Sequence, residues 1–286
     1  MNQEPTIRGL QSDSGIQPSL NLRPPASPPP APGGPAVQIV DLYKSFGPKP
    51  VLRGLTLDLL RGETLCVIGG SGTGKSVTLK HIVGLLRPDR GTVRIDGTDI
   101  FATDNGRLGE IRKKIGFLFQ GAALLNSLNV FENIALPLRE HERPTEAEIK
   151  RQVNEKLAMV NLEEAAAKMP DEISGGMKKR VGLARAIIRN PEIILYDEPT
   201  AGLDPIMAST INGLVIDLQK KLKVSSLVVT HDMSSVFRIA DRIAMLVEGK
   251  VHKIGTKEEF RASEDTKVQK FIYGESEGPL RRDTAR

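Results

Sequence analysis

The stretch GGSGTGKS combines residue types and a spacing that suit it to holding phosphate. It fits the pattern G-x-x-x-x-G-K-S, in which glycines let backbone N–H groups curl around phosphate oxygens. Its lysine would place a positive charge beside the β and γ phosphates of a nucleotide, and its last serine offers a hydroxyl to Mg²⁺. The pattern predicts a site for a nucleoside triphosphate, which we favour over a plain glycine turn. This phosphate loop, with the residue after it, comprises Gly69, Gly70, Ser71, Gly72, Thr73, Gly74, Lys75, Ser76 and Val77.

An acidic pair follows a second apolar run, IILYDEPT. Four apolar residues predict a buried strand that delivers Asp197 and Glu198 to its carboxyl end, where open α/β sheets bind ligands. Asp197 is a candidate to hold Mg²⁺ through water. Glu198 is a candidate to polarise an attacking water. The alternative, a pair that only caps a helix ahead of Pro199, is weakened by the presence of the phosphate loop.

Three single residues become candidate site residues because of their positions next to these motifs or predicted strands. Gln120 follows the strand-like run KIGFLF, and its amide oxygen could accept a hydrogen bond from water and bind Mg²⁺. His231 follows the strand-like run SSLVVT, where an imidazole could reach a γ-phosphate or merely cap the next helix. Phe46 lies upstream of the phosphate loop and could stack on an adenine ring. The default interpretation of Phe46 is a residue of the core, and Tyr43 is an alternative candidate for stacking on the adenine.

A second glycine loop opens the basic, helix-compatible run DEISGGMKKRVGLARA. Its residues are Ser174, Gly175 and Gly176. Bare backbone N–H groups and the positive end of a helix dipole would suit this loop to an anion as well. The chain therefore has two candidate phosphate sites, far apart in sequence.

The composition is that of an ordinary globular protein. The 286 residues carry a net charge of +5, which is compatible with nucleic acid, acidic lipid or phosphate partners and equally with a solvated surface. A single cysteine excludes a disulfide framework within the chain and fits a reducing compartment. The apolar runs are strand-sized, far short of the ~20 residues of a membrane span. We see no secretory signal at the N-terminus.

The elements that must position these residues follow from hydrophobic periodicity. The run before the phosphate loop predicts a buried strand over Thr64–Ile68, followed by a helix from Ser76 to about Leu86. A further helix is predicted near Met233–Ala240, and a hairpin is predicted to turn at Glu248-Gly249.

The predicted organisation is one α/β domain with flanking segments. The proline-rich run LRPPASPPPAPGGPA predicts that residues 1–36 are a disordered leader. Residues 37–255 alternate strands and helices around a mostly helical stretch at about 121–190, which indicates an α/β core with an inserted helical subdomain. Residues 256–286 form a C-terminal extension.

The motifs occur in one order: Phe46, GGSGTGKS, Gln120, ISGGM, IILYDE, AGLDP and THD. This set resembles the nucleotide-binding domain of an ABC ATPase over roughly Val37 to Gly255. The resemblance implies a P-loop NTPase fold with an antiparallel β subdomain, with ATP and Mg²⁺ as cofactors. It also implies a head-to-tail homodimer, in which each ATP lies between Lys75 of one chain and Ser174 and Gly176 of its partner. Asp204 would lie at the same junction.

Three longer stretches resemble the Mla/MCE-type phospholipid transport ATPases. They are FQGAALLNSLNVFENIALPLREH, MPDEISGGMKKR with its Met177, and VQKFIYGESEGPL. The resemblance implies a peripheral motor on the cytoplasmic face of the inner (cell) membrane. Its partners would be an integral membrane permease, an MCE-domain substrate-binding protein and a small STAS-domain protein. Leu125 departs from the phenylalanine common in that group, at the position where the transmembrane partner would dock.

Two alternatives remain open. An ABC transport ATPase for another substrate, such as amino acids, metals or lipoproteins, would share the same motor motifs. A soluble ABC ATPase acting on nucleic acid is less favoured. Such proteins usually carry two domains or a long coiled coil, and the stretch between Gln120 and Ser174 is short. We therefore expect no nucleic-acid partner.

Overall fold

The computed structural model describes residues 34–142 and 144–274. The predicted disordered leader, up to residue 33, and the end of the C-terminal extension lie outside the described residues. Ala36, the last residue of the predicted leader, is buried, and its N–H donates to the Leu59 carbonyl.

The strands of the described residues form two sheets. The strands are β1 Val37–Phe46, β2 Lys49–Leu59, β3 Thr64–Gly69, β4 Arg90–Ile95, β5 Thr98–Asp99, β6 Ile115–Leu118, β7 Ile193–Asp197, β8 Ser225–Val229, β9 Arg242–Val247 and β10 Lys250–Thr256.

Three helices follow one another in the middle of the chain, and two more follow the last strand of the described residues. The helices are α1 Lys75–Ile82, α2 Asn105–Lys113, α3 Val130–His141, α4 Glu146–Met159, α5 Gly175–Ile187, α6 Pro205–Leu222, α7 Met233–Ile239, α8 Lys257–Arg261 and α9 Thr266–Tyr273. The stretch predicted to be mostly helical, about 121–190, contains α3, α4 and α5.

A six-stranded sheet in the order β10-β9-β3-β8-β7-β6 forms the centre of the fold. All its neighbours pair in parallel except the antiparallel edge pair β9–β10. A second, antiparallel sheet has the order β2-β1-β4-β5. The predicted α/β fold with an antiparallel β component is confirmed.

The central strands are buried on both faces, which explains their continuous apolar runs. Successive side chains of a strand point to opposite faces. On β3, Cys66 and Ile68 pack with the helices, whereas Leu65 and Val67 pack toward the antiparallel sheet. The phosphate loop therefore follows a strand held by two cores.

The strand register brings three functional segments to one edge. On β8, Val229 pairs with Val67 of β3 and with Asp197 of β7. The carboxyl ends of these three parallel strands therefore lie side by side. The phosphate loop, the acidic pair and His231 each follow one of these ends.

One predicted helix end was wrong, and a second was right to within one residue. The helix after the phosphate loop ends at Ile82 rather than near Leu86, because Gly84 takes a positive φ of 69° and turns the chain. The later helix ends at Ile239, since Ala240 is already extended. The predicted strand over Thr64–Ile68 continues for one further residue, to Gly69.

Candidate nucleotide-binding site

The phosphate loop is a turn between β3 and α1 whose first and last glycines have close neighbours. Gly69 has φ 149°, and a Cβ there would lie 2.5 Å from the carbonyl oxygen of Leu246. Gly74 has φ 100°, and a Cβ there would lie 2.5 Å from Cδ2 of Leu52. Glycine is required at both positions, because left-handed backbone and close neighbours each exclude a side chain. The Thr73 hydroxyl donates to the Gly70 carbonyl at 2.9 Å and braces the turn.

Lys75 begins α1 and points back along the loop. Its Nζ donates to the carbonyl oxygens of Gly69 at 2.8 Å and Gly70 at 3.0 Å. Burial lowers the pKa of Lys75 below its ordinary value, and the nearby carboxylates of Glu198 and Asp197 oppose that shift. The ammonium group therefore lies beside the loop at the start of α1. There it could contact phosphate oxygens that the loop binds.

Ser76 and Asp197 meet across the sheet. The Ser76 hydroxyl donates to Oδ1 of Asp197 at 2.8 Å. Burial raises the pKa of Asp197, and the bond from Ser76 opposes this. A hydroxyl and a carboxylate side by side are the hard oxygen donors that Mg²⁺ prefers. Two of the three residues predicted as metal ligands, Ser76 and Asp197, are thus direct neighbours.

Glu198 lies beyond β7 in a left-handed conformation, with φ 50°. Nδ1 of His231 lies 2.9 Å from its Oε1, so the imidazole holds one carboxylate oxygen. The other, Oε2, is buried and has no hydrogen-bond partner among the described residues. An unpaired buried carboxylate oxygen is costly unless a ligand or water satisfies it. A ligand or water that reached this oxygen would supply the partner it lacks.

A cavity of about 740 Å³ gathers most of the predicted residues. Phe46, exposed to 45%, lies at one end, and Lys49 and Val51 line the wall beside it. Gln120 and His231 line it as well, although Gln120 follows the end of β6 at Leu118 by two residues. The other predicted residues that line the cavity are Gly69, Gly70, Ser71, Gly72, Gly74, Lys75, Ser76, Val77 and Glu198.

The second glycine loop is not part of this cavity's lining. Ser174 caps α5, its hydroxyl accepting from the Met177 N–H at 3.3 Å, and both Ser174 and Gly175 are exposed. Gly176 is buried, and a Cβ there would lie 3.2 Å from the Met207 sulfur. The loop therefore lies beside the start of α6. There Asp204 accepts from the N–H groups of Ile206 and Met207 at 2.9 and 3.0 Å.

Besides Lys49 and Val51, two further residues touch the site without having been predicted. Lys179 of α5 donates from Nζ to the backbone carbonyls of Gln120 and, at 3.1 Å, Glu198. Phe271 of α9 lines the cavity. Val268, Phe271 and Ile272 are spaced as i, i+3 and i+4, which indicates one packed helix face. This spacing does not predict that Phe271 lines a cavity. Lys179 left no sequence signal, because its partners are main-chain oxygens.

Within the described residues, no helix has the length and apolar character needed to cross a membrane.

Comparison with protein-family models matches residues 52–201 to the ABC transporter family. The intermembrane phospholipid transport system ATP-binding protein of Haemophilus influenzae is 40% identical, covering 86% of this chain and 93% of that protein. The probable ribonucleotide transport ATP-binding protein of Mycobacterium leprae is 43% identical, and the match covers 87% of this chain and 72% of that protein. The chloroplastic protein trigalactosyldiacylglycerol 3 of Arabidopsis thaliana is 42% identical, and the match covers 96% of this chain and 78% of that protein.

Solved structures with the same fold include ATP-binding cassettes. A dimeric cassette in a post-hydrolysis state, bound to ADP and Pi, superposes with a TM-score of 0.71 at 34% identity, covering 77% of this chain and 98% of that one. The cbiO1 subunit from Clostridium perfringens, part of the ABC transporter complex cbiONQ, gives a TM-score of 0.74 at 28% identity, covering 83% and 94%.

Proposed function

Because the chain belongs to the ABC transporter family and is an ATPase, we propose that it is the motor subunit of a transporter that moves phospholipids or related lipids between membranes. The observation that carries the choice of cargo is the match to a phospholipid transport ATP-binding protein along 93% of that protein's length. The similarity thus extends well beyond the shared nucleotide motifs.

We infer that the nucleotide lies in the cavity between Phe46 and the phosphate loop. Phe46 would stack on the base. The residues from Gly69 to Val77, with Lys75 foremost, would hold the phosphates. Mg²⁺ would neutralise charge on the β and γ phosphates, and its protein ligands would be Ser76, Asp197 and Gln120. The 2.8 Å contact between Ser76 and Asp197 supports this set.

Glu198 is the general base of this proposal. Its unpaired Oε2 would orient a water and accept its proton. His231 keeps the carboxylate in position through the other oxygen, 2.9 Å away, and its exposed ring can reach a γ-phosphate. Gln120 lines the same cavity and would help to position the water.

The second glycine loop would serve a partner's nucleotide. Ser174, Gly175, Gly176 and Asp204 lie together but line no part of the chain's own cavity, and a related cassette is dimeric. Two copies arranged head to tail would each complete the other's site. Binding of ATP would then favour a closed dimer and hydrolysis an open one, which is a population shift able to drive a permease.

The proposed partners are an integral permease, an MCE-domain protein and a small STAS-domain protein, at the cytoplasmic face of the inner membrane. The named phospholipid relatives support this assignment. A surface feature supports the permease: Phe119 and Leu125, 38% and 44% exposed, lie in the segment between β6 and α3. Exposed apolar side chains of this kind suit a protein partner.

A second candidate is a motor for another cargo. The mycobacterial relatives are named for ribonucleotide transport. The ATPase site is indifferent to cargo, since the residues described above would contact only nucleotide and metal.

Reconstitution distinguishes the two cargoes. The complex is purified from its own membranes in mild detergent and incorporated into liposomes. ATP-dependent transfer of a fluorescent phospholipid to acceptor vesicles is measured beside ATP-dependent uptake of a labelled ribonucleotide. A complex carrying Glu198→Gln is the matched control. Lipid transfer by the wild-type complex alone supports the proposal, whereas ribonucleotide uptake without lipid transfer contradicts it.

A further inference from the structure

Lys179 is a buried lysine on the inner face of α5. It is 5% exposed, and none of the carboxylates in the described residues lies within ion-pairing distance of it. A buried charge is costly unless it is hydrogen-bonded. Here the compensation comes from two main-chain carbonyls, so the position of the side chain is dictated by the segments that carry them.

These two carbonyls belong to two segments that line the nucleotide cavity and follow the neighbouring strands β6 and β7. One is that of Gln120 in the loop after β6, and the other, at 3.1 Å, is that of Glu198 after β7. Glu198 has a left-handed backbone, which a glutamate adopts only when its surroundings impose it. Its N–H donates to the Val229 carbonyl at 2.9 Å. The peptide groups on both sides of the proposed base are thus held, one by β8 and the other by α5.

The helix and the Gln120 loop are packed as one unit. A Cβ on Gly182 would lie 2.9 Å from Leu118 Cδ1 and 3.2 Å from Ala122 Cβ, so α5 approaches the loop as closely as a helix can. Arg185, two turns along α5, donates to the carbonyls of Ala122 and Ala123 at 2.6 and 2.8 Å. A displacement of α5 must therefore displace the Gln120 loop.

We propose that Lys179 is a positioning residue for hydrolysis, which couples the α5–Gln120 unit to the backbone of Glu198. Because α5 begins at the Ser174–Gly176 loop, the position of that loop would set the position of the chain's own base. This inference rests on the proposed roles of Glu198 and of the second glycine loop. In the head-to-tail dimer, it makes Lys179 a link between the two nucleotide sites.

The test compares two buried lysines of the same helical region. Lys179→Met removes the donor at nearly constant volume, and Lys179→Gln retains two N–H donors without the charge. Lys156→Met is the matched control, because Lys156 is 2% exposed and bonds to Glu155 and Asn190 at 2.8 Å, outside the cavity lining. Each variant is purified in the full transporter complex. Thermal unfolding, ATP binding, kcat and KM are measured.

We expect Lys179→Met to lower kcat about 10- to 100-fold, with KM for ATP changed less than about twofold, because a misplaced base impairs chemistry but not binding. Lys179→Gln should recover part of that loss. Lys156→Met should lower the unfolding temperature and leave kcat within about twofold of wild type.

The inference is overturned if Lys179→Met keeps wild-type kcat, or if Lys156→Met loses kcat to the same extent. Should Lys179→Met fail to fold, Lys179→Gln decides, since a variant with full kcat and an intact fold excludes a role for the charged group. A wild-type complex without ATPase activity would instead contradict the proposed function itself.

Discussion

The two glycine loops of this chain look alike in sequence but are built differently. In the phosphate loop, Gly69 and Gly74 take positive φ values and are closely surrounded by Leu246 and Leu52. In the second loop, Ser174 caps a regular helix, and neither Gly175 nor Gly176 has a positive φ. The first loop surrounds a cavity of its own chain, and the second lines none of it. Similar local chemistry can therefore form a complete site or half of a shared one, depending on what surrounds it.

The largest effect should come from the loop that is complete within the chain. Lys75→Ala removes the ammonium group that lies among the loop carbonyls. We expect ATP hydrolysis to fall at least about 100-fold, with nucleotide binding lost in a fluorescent-nucleotide titration. Lys80→Ala, at an exposed position on the same helix, is the control and should bind normally. Tight binding by the Lys75 variant would show that the phosphates lie elsewhere.

Glu198→Gln separates binding from chemistry in the same cavity. We expect kcat to fall about 10²- to 10⁴-fold while ATP binding persists, because an amide cannot accept the proton. The variant should accumulate as an ATP-bound dimer, detectable by size-exclusion chromatography with light scattering. Hydrolysis at the normal rate would reject Glu198 as the base.

A change at the second loop should damage the partner's site rather than its own. Ser174→Ala should cost about 1 kcal/mol of stability through the lost helix cap. If Ser174 also holds a partner's phosphate, hydrolysis should fall about tenfold, as expected for one lost hydrogen bond to a charged group. ATPase assays of defined mixed dimers measure this effect.

Complementation tests the shared site directly. Pairing a Lys75→Ala chain with a Ser174→Ala chain leaves one intact composite site in a head-to-tail dimer, so activity should be retained. Pairing a doubly substituted chain with a wild-type chain damages both sites and should give less activity. Greater activity of the second mixture than of the first would show that each chain uses its own second loop.

The smallest effect should come from the base-binding end of the cavity. Phe46 is 45% exposed, so its stacking contributes about 1 kcal/mol. Phe46→Ala should therefore raise KM for ATP about fivefold with kcat unchanged. A Phe46→Tyr variant should retain wild-type KM. A loss of kcat would instead point to a role for Phe46 in folding.

Much of the site could be predicted because its residues belong to short patterns with a direct chemical reason. An apolar run followed by Asp197 and Glu198 implies a strand end, and Lys75 among glycines implies phosphate. Helix ends were less predictable, as Gly84 shows, because periodicity gives no weight to a single turn-forming glycine. Lys179 and Phe271 could not be predicted, because their contacts depend on how α5 and α9 pack.

The sequence by itself determined the chemistry of this protein: a triphosphate loop, an acidic strand end, a second anion-binding loop and the family they belong to. Each of these rests on neighbouring residues, whose spacing survives in any fold. Only the tertiary structure decided that Ser76 meets Asp197, that His231 holds Glu198, and that the second loop does not line the cavity of the first. Those contacts depend on the parallel register of β3, β7 and β8 and on the close packing of α5, which join residues far apart in the chain.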